Sequence, residues 1–170
     1  QDLSTLPLYI DDTGGISIAQ IAARARRLKR EKNIGLIIID YLQLVAPSRN
    51  HENRVQEITE VTKGLKTLAK ELNVPVLELS QLSRGVDARD DKRPVLSDLR
   101  ESGSIEQDAD VVAFIHRESY YNRDDPENEH KAEIIIAKQR NGPTGSIEVG
   151  WISDFTLFAD AAEGGGDFGA

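Results

Sequence analysis

An aspartate that directly follows an apolar run is the side chain of this sequence best placed for chemistry. Residues 36–39 read Leu-Ile-Ile-Ile and lead into Asp40. A run without alternation is typical of a strand buried on both faces of a parallel sheet, and a residue after it lies at the carboxyl edge, where open α/β folds bind ligands. In nucleoside triphosphatases such an aspartate, the Walker B residue, helps to hold the Mg²⁺ that bridges the phosphates. A buried strand followed by an ordinary acidic loop residue is the alternative, and the pattern alone leaves both open.

A glutamine follows the next predicted strand along the chain. The strand covers about residues 74–80, and Gln81 comes directly after it. If the two strands are neighbours, Gln81 lies beside Asp40 at the carboxyl edge of the sheet. Its amide both donates and accepts hydrogen bonds, so it can sense a terminal phosphate or position water. An ordinary loop glutamine is the alternative, and only the preceding Asp40 argues against it.

Two further segments could contact phosphates. Small and polar residues around Gly103 allow a backbone to approach a ligand closely, and Arg100 supplies charge. Composition alone favours a helix-capping loop for this segment. Lys138 and Arg140 follow another predicted strand, and the guanidinium of Arg140 fits a phosphate bidentately. The alternative for these two cations is a solvated turn that guards a sheet edge.

The composition limits the class of protein. The chain has 170 residues, enough for one domain with a core, and its lack of cysteine excludes disulfides and thiolate metal sites. A net charge of −8 argues against a strongly basic nucleic-acid coat but allows a local basic loop. No membrane-length apolar stretch or signal peptide is visible, which fits a cytosolic location. The sequence contains no methionine and starts at Gln1, so we interpret it as a fragment.

The apolar periodicity predicts alternating strands and helices. Helices are expected at 17–32, where Ser17 and Gln20 form a capping box, and at 54–73. The buried stripe expected on the second helix consists of Val55, Ile58, Val61, Leu65, Leu68 and Leu72. The basic face of the first helix is better explained by solvent exposure than by nucleic-acid binding. An α/β domain with a largely parallel sheet and a closing antiparallel hairpin follows. Strands are expected at 6–10, 35–40, 74–80, 111–116, 134–138, 145–151 and 155–158.

Taken together, these segments resemble the C-terminal motor domain of bacterial replicative DNA helicases of the DnaB type, within the RecA-like ATPases. The similarity extends from about residue 6 to 158 and rests on the stretches Ile37–Leu44, Leu79–Arg84, Ser97–Asp110 and Ala137–Gly142. The resemblance implies a RecA-like P-loop NTPase core: a mainly parallel sheet flanked by helices, with a C-terminal antiparallel hairpin. It implies a partial motor domain at 1–160, and we expect a disordered glycine-rich tail at 161–170.

The resemblance also implies roles at the nucleotide, with ATP and Mg²⁺ as cofactors. Asp40 would be the Walker B residue near the magnesium ion. Gln81 would link the nucleotide to the DNA-facing loops. Lys138 and Arg140 would reach across a subunit boundary to the neighbour's phosphates, with Arg140 as the arginine finger.

Further roles implied by the resemblance concern DNA and protein partners. Arg100, Glu101 and Gly103 would lie on the loop that lines a central channel and touch the backbone of single-stranded DNA. The family works as a ring of six that moves 5′ to 3′ along one strand. A primase and a helicase loader are the expected protein partners, in the cytoplasm at the nucleoid and without a membrane.

One motif of the family does not occur in the 170 residues, namely the phosphate-binding loop Gly-x-x-x-x-Gly-Lys-Ser/Thr. By the resemblance, this loop, the strand that feeds it and the catalytic glutamate would precede Gln1. We therefore expect the isolated chain to be inactive on ATP. A RecA-like ATPase of the recombination or clock type and a non-catalytic interaction module are the alternatives. The order of Asp-Leu-Arg-Glu-Ser-Gly and then Lys-Gln-Arg-Asn-Gly favours the helicase.

Overall fold

The computed structural model describes residues 5–49, 51–99, 103–122, 126 and 128–161. The chain forms two compact units, Gln1–Ser80 and Gln81–Ala170. Apart from residue 161, the tail predicted to be disordered lies outside the described residues. None of the described helices combines the length and the apolar composition that crossing a bilayer requires.

Two helices with well-formed caps dominate the first unit. Helix α1 covers Ile18–Lys32, and Ser17 forms the predicted capping box: its backbone N–H donates to Gln20 (3.0 Å) and its hydroxyl accepts from the Gln20 backbone (3.3 Å). Helix α2 covers Arg54–Leu72. Each helix ends at an asparagine in the left-handed region, as helix C-termini often do. The sequence therefore placed both helices correctly to within about one residue at each end.

The core of the first unit lies between these two helices. Their apolar stripes face each other, since the buried positions recur at helical spacing on both. Val55 was expected in the α2 stripe but is 51% exposed, because it lies in the first turn, beyond the contact with α1. The buried positions are Ile18, Ile21 and Ala25 on α1, and Ile58, Val61, Leu65 and Leu68 on α2.

A parallel strand pair accompanies the helices. Strand β1 (Ile37–Ile39) pairs in parallel with β2 (Val76–Glu78), which confirms the predicted neighbourhood of the two strands. The prediction that β1 is buried on both faces is wrong for the described structure. Ile38 and its register partner Leu77 are 55% and 50% exposed, because helix packing covers one face of the pair and leaves the other open.

The strand predicted at 6–10 is absent. Residues 6–10 are all exposed, and they adopt no regular structure beyond a tight turn in which the backbone N–H of Leu8 donates to the carbonyl of Leu6 (2.8 Å). Pro7 has no N–H to contribute to a ladder. Among the described residues, no strand pairs with this segment, so its apolar sequence alone does not make it a strand.

The second unit is built on a four-stranded antiparallel sheet. Its short helices are α3 (Gly103–Asp108) and α4 (Glu118–Tyr121), and the strand order is β3-β4-β5-β6. The predicted closing hairpin is present, but β3 and β4 also pair antiparallel, so the antiparallel part is larger than expected. A parallel crossover needs a longer helix than the four-residue α4. The strands are β3 (Val111–His116), β4 (Lys131–Gln139), β5 (Gly145–Ile152) and β6 (Leu157–Asp160).

Candidate functional site

The carboxyl ends of β1 and β2 lie side by side. The backbone N–H of Leu79 donates to the carbonyl of Ile39 (3.0 Å), and the N–H of Leu42 donates back to the carbonyl of Leu79 (2.8 Å). Asp40 lies between these two contacts, and its side chain is exposed. The structure thus puts Asp40 at the carboxyl edge of the parallel pair, the position at which such sheets bind ligands.

Polar contacts fix the backbone around Asp40. The amide of Gln43 donates to the hydroxyl of Ser80 (3.0 Å), which joins the turn after β1 to the end of β2. Arg54, the first residue of α2, donates to the carbonyl of Gln43 (2.6 Å) and pairs with Glu57 (2.7 Å). The edge that carries Asp40 is therefore held by both strands and by the start of α2.

The chemistry of this edge suits one kind of metal. Within the described ranges, no group of three or more His, Cys, Asp or Glu side chains forms a preformed metal cage. Mg²⁺ does not require such a cage, because it keeps several waters and binds through one or two carboxylates together with phosphate oxygens. A single exposed carboxylate at the carboxyl edge fits a phosphate-bound Mg²⁺ better than a structural zinc or calcium ion.

The two predicted phosphate contacts, Lys138 near the end of β4 and Arg140 directly after it, are brought together at the C-terminal end of α3. The ammonium of Lys138 donates to the carbonyls of Glu106 and Gln107, the latter at 3.4 Å. Arg140 donates to the carbonyl of Gln107 (3.3 Å) and pairs with Asp110 (3.1 Å). The negative end of a helix dipole favours both cations. The Arg140 side chain is 53% exposed, so it remains open to an incoming anion.

The predicted DNA-contacting residues are only partly described. Gly103 is the exposed first residue of α3. Arg100 and Glu101 lie outside the described residues. One short helix therefore begins at a predicted DNA contact and ends at the two predicted phosphate contacts.

Gln81 begins the second unit with its side chain exposed. Directly after it, Leu82 forms an antiparallel bridge with Leu99, and the backbone N–H of Ser83 donates to the carbonyl of Asp98 (2.7 Å). The backbone that follows Gln81 is thus tied to the last residues described before position 100. The predicted proximity of Gln81 to Asp40 stays a prediction.

A nearly buried carboxylate holds this tie. The Asp98 side chain is 7% exposed and accepts two hydrogen bonds from the guanidinium of Arg89, both at 2.8 Å, and one from the Val95 backbone, also at 2.8 Å. Burial alone would raise the pKa of Asp98, but the hydrogen bonds from Arg89 and Val95 hold that pKa below its usual value. The carboxylate is therefore charged and fully engaged at neutral pH.

An aromatic cavity in the second unit was missed by the sequence interpretation. The guanidinium carbon of Arg117 lies 4.2 Å from the ring centroid of Trp151 and 6.0 Å from that of Tyr120. A cavity of about 560 Å³ opens beside them. The available signal was the single tryptophan of the chain. Its approach to Arg117 depends on the register of β3, β4 and β5, which the sequence does not specify.

Three arginines on the basic face of α1 already pair with carboxylates. The Arg26–Glu71 pair is bidentate, at 2.7 and 2.8 Å, and it joins α1 to the end of α2. These pairs agree with the interpretation of this face as a solvated surface. Three arginines of the helix pair with carboxylates: Arg24 with Asp11, Arg26 with Glu71 and Arg27 with Glu31.

Comparison with known proteins gives a consistent result. Residues 1–160 match the family described as "DnaB-like helicase C terminal domain". The chain is 56% identical over 159 residues to the "Replicative DNA helicase DnaB" of Geobacillus stearothermophilus and 54% identical to the "Replicative DNA helicase DnaC" of Bacillus subtilis. Each alignment covers 93% of this chain but only 35% of the relative, so the chain spans about a third of the length of these relatives.

The fold of this chain also resembles those of solved structures. One, described as "The Structure Of A DnaB-Like Replicative Helicase And Its Interactions With Primase", is 44% identical with a TM-score of 0.84, covering 90% of this chain and 38% of its own. A second, described as an ATPase domain, is 43% identical with a TM-score of 0.81, covering 87% of this chain and 52% of its own. These neighbours confirm the predicted fold class. The chain belongs to the DnaB-like helicase C-terminal domain family.

Proposed function

We propose that this chain belongs to the motor of a hexameric replicative helicase that hydrolyses ATP, moves 5′ to 3′ along single-stranded DNA and unwinds the duplex at replication forks. Its similarity to proteins described as replicative DNA helicases, over 93% of its length, supports the proposal. The structural observation that carries it is helix α3, which begins at Gly103 and holds Lys138 and Arg140 at its other end. This arrangement suits a protein in which phosphate chemistry must affect a DNA contact.

Each nucleotide lies between two protomers, and Asp40 and Gln81 of one protomer act on it. Asp40 would hold the magnesium ion through its exposed carboxylate, and this ion, when bound, neutralises charge on the phosphate oxygens. Gln81 would place its amide near the terminal phosphate and report whether that phosphate is present. Its first downstream neighbours are tied by backbone hydrogen bonds to residues 98 and 99, so a shift of Gln81 can be passed on toward the DNA contacts.

Lys138 and Arg140 act from the adjacent protomer. In the described structure they donate to neutral carbonyls and to one exposed carboxylate, and such contacts are weak in water. A phosphate is a stronger partner, especially for the planar guanidinium of Arg140. We assign Arg140 the role of arginine finger, which stabilises charge in the transition state.

DNA binding is assigned to Arg100, Glu101 and Gly103. Contacts to the phosphate backbone position a strand without reading its bases. Binding should therefore be nearly independent of sequence and should weaken as salt is raised, because phosphate neutralisation releases counterions.

The proposal extends to partners and place of action. A closed ring suits a finger that acts on a neighbour's nucleotide, since it gives every site a donor, and the resemblance to the family implies six protomers in that ring. One similar structure is described together with its interactions with primase, which supports a primase as a partner. A helicase loader and a cytoplasmic location at the nucleoid belong to the same proposal.

The decisive experiment uses a full-length helicase that contains this segment. We expect single-stranded DNA to stimulate its ATPase, and we expect unwinding of a forked duplex only when a 5′ single-stranded tail is present. The DNA dissociation constant should rise with salt, with a logarithmic slope of roughly 0.7 per neutralised phosphate.

Two other outcomes would contradict this proposal. Strand exchange without unwinding would favour the recombination type of RecA-like ATPase. Binding to another protein without any nucleotide turnover would favour a non-catalytic module. The isolated 170-residue chain contains no Gly-x-x-x-x-Gly-Lys-Ser/Thr sequence, so we expect it to show no turnover by itself.

The aromatic cavity extends the proposal to the nucleotide base. The cavity lies near the start of β4, where Lys131 pairs with Gly150, the residue before Trp151. Lys138 lies about 23 Å away along the strand, at the usual rise per residue. One protomer can thus offer its cavity to one nucleotide and its cations to another. We propose that a base stacks on the ring of Tyr120 beside Arg117, since Tyr120 lines the cavity and is 59% exposed, whereas Trp151 is buried beneath Arg117.

Replacing Tyr120 by alanine should raise the KM for ATP about tenfold, because stacking one base on an aromatic ring is worth about 1–3 kcal/mol. Tyr120→Phe keeps a ring and should retain most of the affinity. Steady-state kinetics measure the KM, and competition by tripolyphosphate, which has no base, should be unchanged. Phe155, exposed at the β5–β6 turn, provides the matched control. An equal loss of affinity for ATP and tripolyphosphate would remove the base assignment.

A further inference from the structure

Arg89 is the most completely engaged guanidinium in the described part of the second unit. Its two terminal nitrogens donate to the two carboxylate oxygens of Asp98, each at 2.8 Å. It also donates to the carbonyl of Arg93 (2.9 Å) and, at 3.3 Å, to that of Asp91. A planar fork fits a carboxylate in this way, whereas an ammonium does not.

The Arg89–Asp98 pair closes a loop whose two ends meet. The backbone of Asp98 accepts from Ser83 (2.7 Å), and Leu99 forms its bridge with Leu82. The Asp98 side chain is 7% exposed, so it depends on Arg89 for its charge partner. Without that partner, the turn at 96–98 would have to open to hydrate the carboxylate, and the tie between the two ends would loosen.

We propose that Arg89 is a positioning residue for DNA binding: by holding Asp98, it fixes the point at which the chain leaves the Leu82–Leu99 bridge and enters the DNA-contacting stretch that starts at Arg100. Arg89 touches no DNA in this scheme. It acts through Asp98 and Leu99, and it couples the backbone after Gln81 to that stretch. The inference rests on the proposed function, because it takes Arg100 and Gly103 as DNA contacts.

A purely structural role for the pair makes a different prediction. If the pair only stabilised the fold, its loss would lower the fraction of folded protein, and every activity would fall together. If it positions the DNA contacts, the stimulation of ATPase by DNA should fall more than the basal rate. The ratio of stimulated to basal rate therefore separates the two roles, because it does not depend on the folded fraction.

The test uses Arg89→Gln and Arg89→Lys in a full-length helicase that contains this segment, with oligo-dT as the DNA. For Arg89→Gln we expect the stimulation ratio to fall about tenfold, because a small misplacement of binding groups costs rates of that order. The dissociation constant for oligo-dT should rise, while its salt slope stays unchanged, since the number of phosphate contacts is the same. Arg89→Lys keeps the positive charge but lacks the planar guanidinium, so its stimulation ratio should lie between those of the wild type and Arg89→Gln.

Arg93→Gln is the matched control. Arg93 lies in the same loop and pairs with Glu133 on β4, not with Asp98, so its stimulation ratio should stay at the wild-type value. If Arg89→Gln does not fold, the double variant Arg89→Gln with Asp98→Asn removes both charges and avoids a buried unpaired carboxylate. We expect that double variant to fold and still to show a reduced ratio.

Wild-type stimulation and DNA affinity in any folded variant that lacks the Arg89–Asp98 fork would overturn the inference. That result leaves the proposed function untouched, because the wild-type helicase would still respond to DNA. Absence of DNA stimulation in the wild type would instead overturn the proposed function. The wild-type measurement made in parallel therefore identifies which of the two has failed.

Discussion

A full-length helicase that carries this segment should lose ATP hydrolysis when Arg140 is replaced by alanine, while nucleotide binding stays mostly intact. An arginine finger contributes a factor of about 10³ to 10⁵ in turnover, because its charge acts on the transition state more than on bound ATP. Steady-state ATPase measures the loss of turnover. Titration with a fluorescent ATP analogue measures binding, whose dissociation constant should change by less than about threefold if the effect is confined to the transition state.

The structure explains why this substitution should leave the fold intact. Arg140 is 53% exposed, and its side chain pairs with an equally exposed Asp110, so little stability depends on the pair. The hydrogen bond between the Arg140 N–H and the Asp110 carbonyl (2.8 Å) belongs to the backbone and survives truncation of the side chain. Lys138 still donates to the last carbonyls of α3 in the variant and keeps the end of β4 in place.

Arg27→Ala is the control for this prediction. Arg27 lies on α1, is similarly exposed, and pairs only one turn away with Glu31 at 3.2 Å. Its loss removes the same charge and the same atoms from a surface to which no nucleotide role is assigned, so turnover should not change. Normal hydrolysis by Arg140→Ala would contradict the finger assignment. An equal loss of turnover in Arg140→Ala and Arg27→Ala would show that the effect comes from the lost positive charge and not from its position.

The parts that could be predicted from the sequence are those set by local physics. Ser17 with Gln20 specifies a capping box, and the asparagines at 33 and 73 end helices in the left-handed region; the structure has all of these. The apolar spacing of α2 also identifies its buried apolar positions, apart from Val55 at the helix start, which is exposed, and Leu72 at the helix end, which is half-buried. Such features depend on neighbours within a few residues, which a single sequence displays directly.

Features that depend on distant partners were not predictable in the same way. An apolar run does not state which strand it pairs with, or in which direction, so the antiparallel pairing of β3 with β4 was missed. The exposure of Ile38 depends on which elements cover that face of β1, and the run itself carries no information about this.

The residues of the candidate site likewise include some that a local sequence signal predicts and others that depend on distant partners. Asp40 at the end of an apolar run is a local signal, and the structure places it at the sheet edge. The pairing of Arg89 with Asp98 lies in a loop without periodicity, so no pattern marks it. Arg117 and Trp151 meet only because the register of three strands brings them together.

Replacing Asp40 by asparagine should strongly reduce the magnesium-dependent hydrolysis of ATP. The substitution keeps the shape of an exposed side chain, so the fold should be unaffected. It removes the charge that holds Mg²⁺ against the phosphates, and the metal contributes several kcal/mol to transition-state stabilisation. Turnover should fall by about a hundredfold or more, as measured by ATPase over a range of Mg²⁺ concentrations.

Asp154→Asn serves as the control, since Asp154 is an exposed aspartate in the turn between β5 and β6 and has no assigned role. It should leave both the rate and the Mg²⁺ dependence unchanged. Recovery of the rate of Asp40→Asn at high Mg²⁺ would mean that the carboxylate assists metal affinity only. A wild-type rate at low Mg²⁺ would remove Asp40 from the metal site.

Mixing the two inactive variants tests whether Asp40 and Arg140 serve the same nucleotide from different protomers. In a ring assembled from equal amounts of Asp40→Asn and Arg140→Ala subunits, an interface is complete where an Arg140→Ala subunit supplies Asp40 and its neighbour supplies Arg140. Random assembly of a closed ring makes about one interface in four complete. ATPase should therefore reappear on mixing, to roughly a quarter of the wild-type rate if sites act independently. If both residues acted within one protomer, every subunit would lack one of them, and the mixture would stay inactive at every ratio.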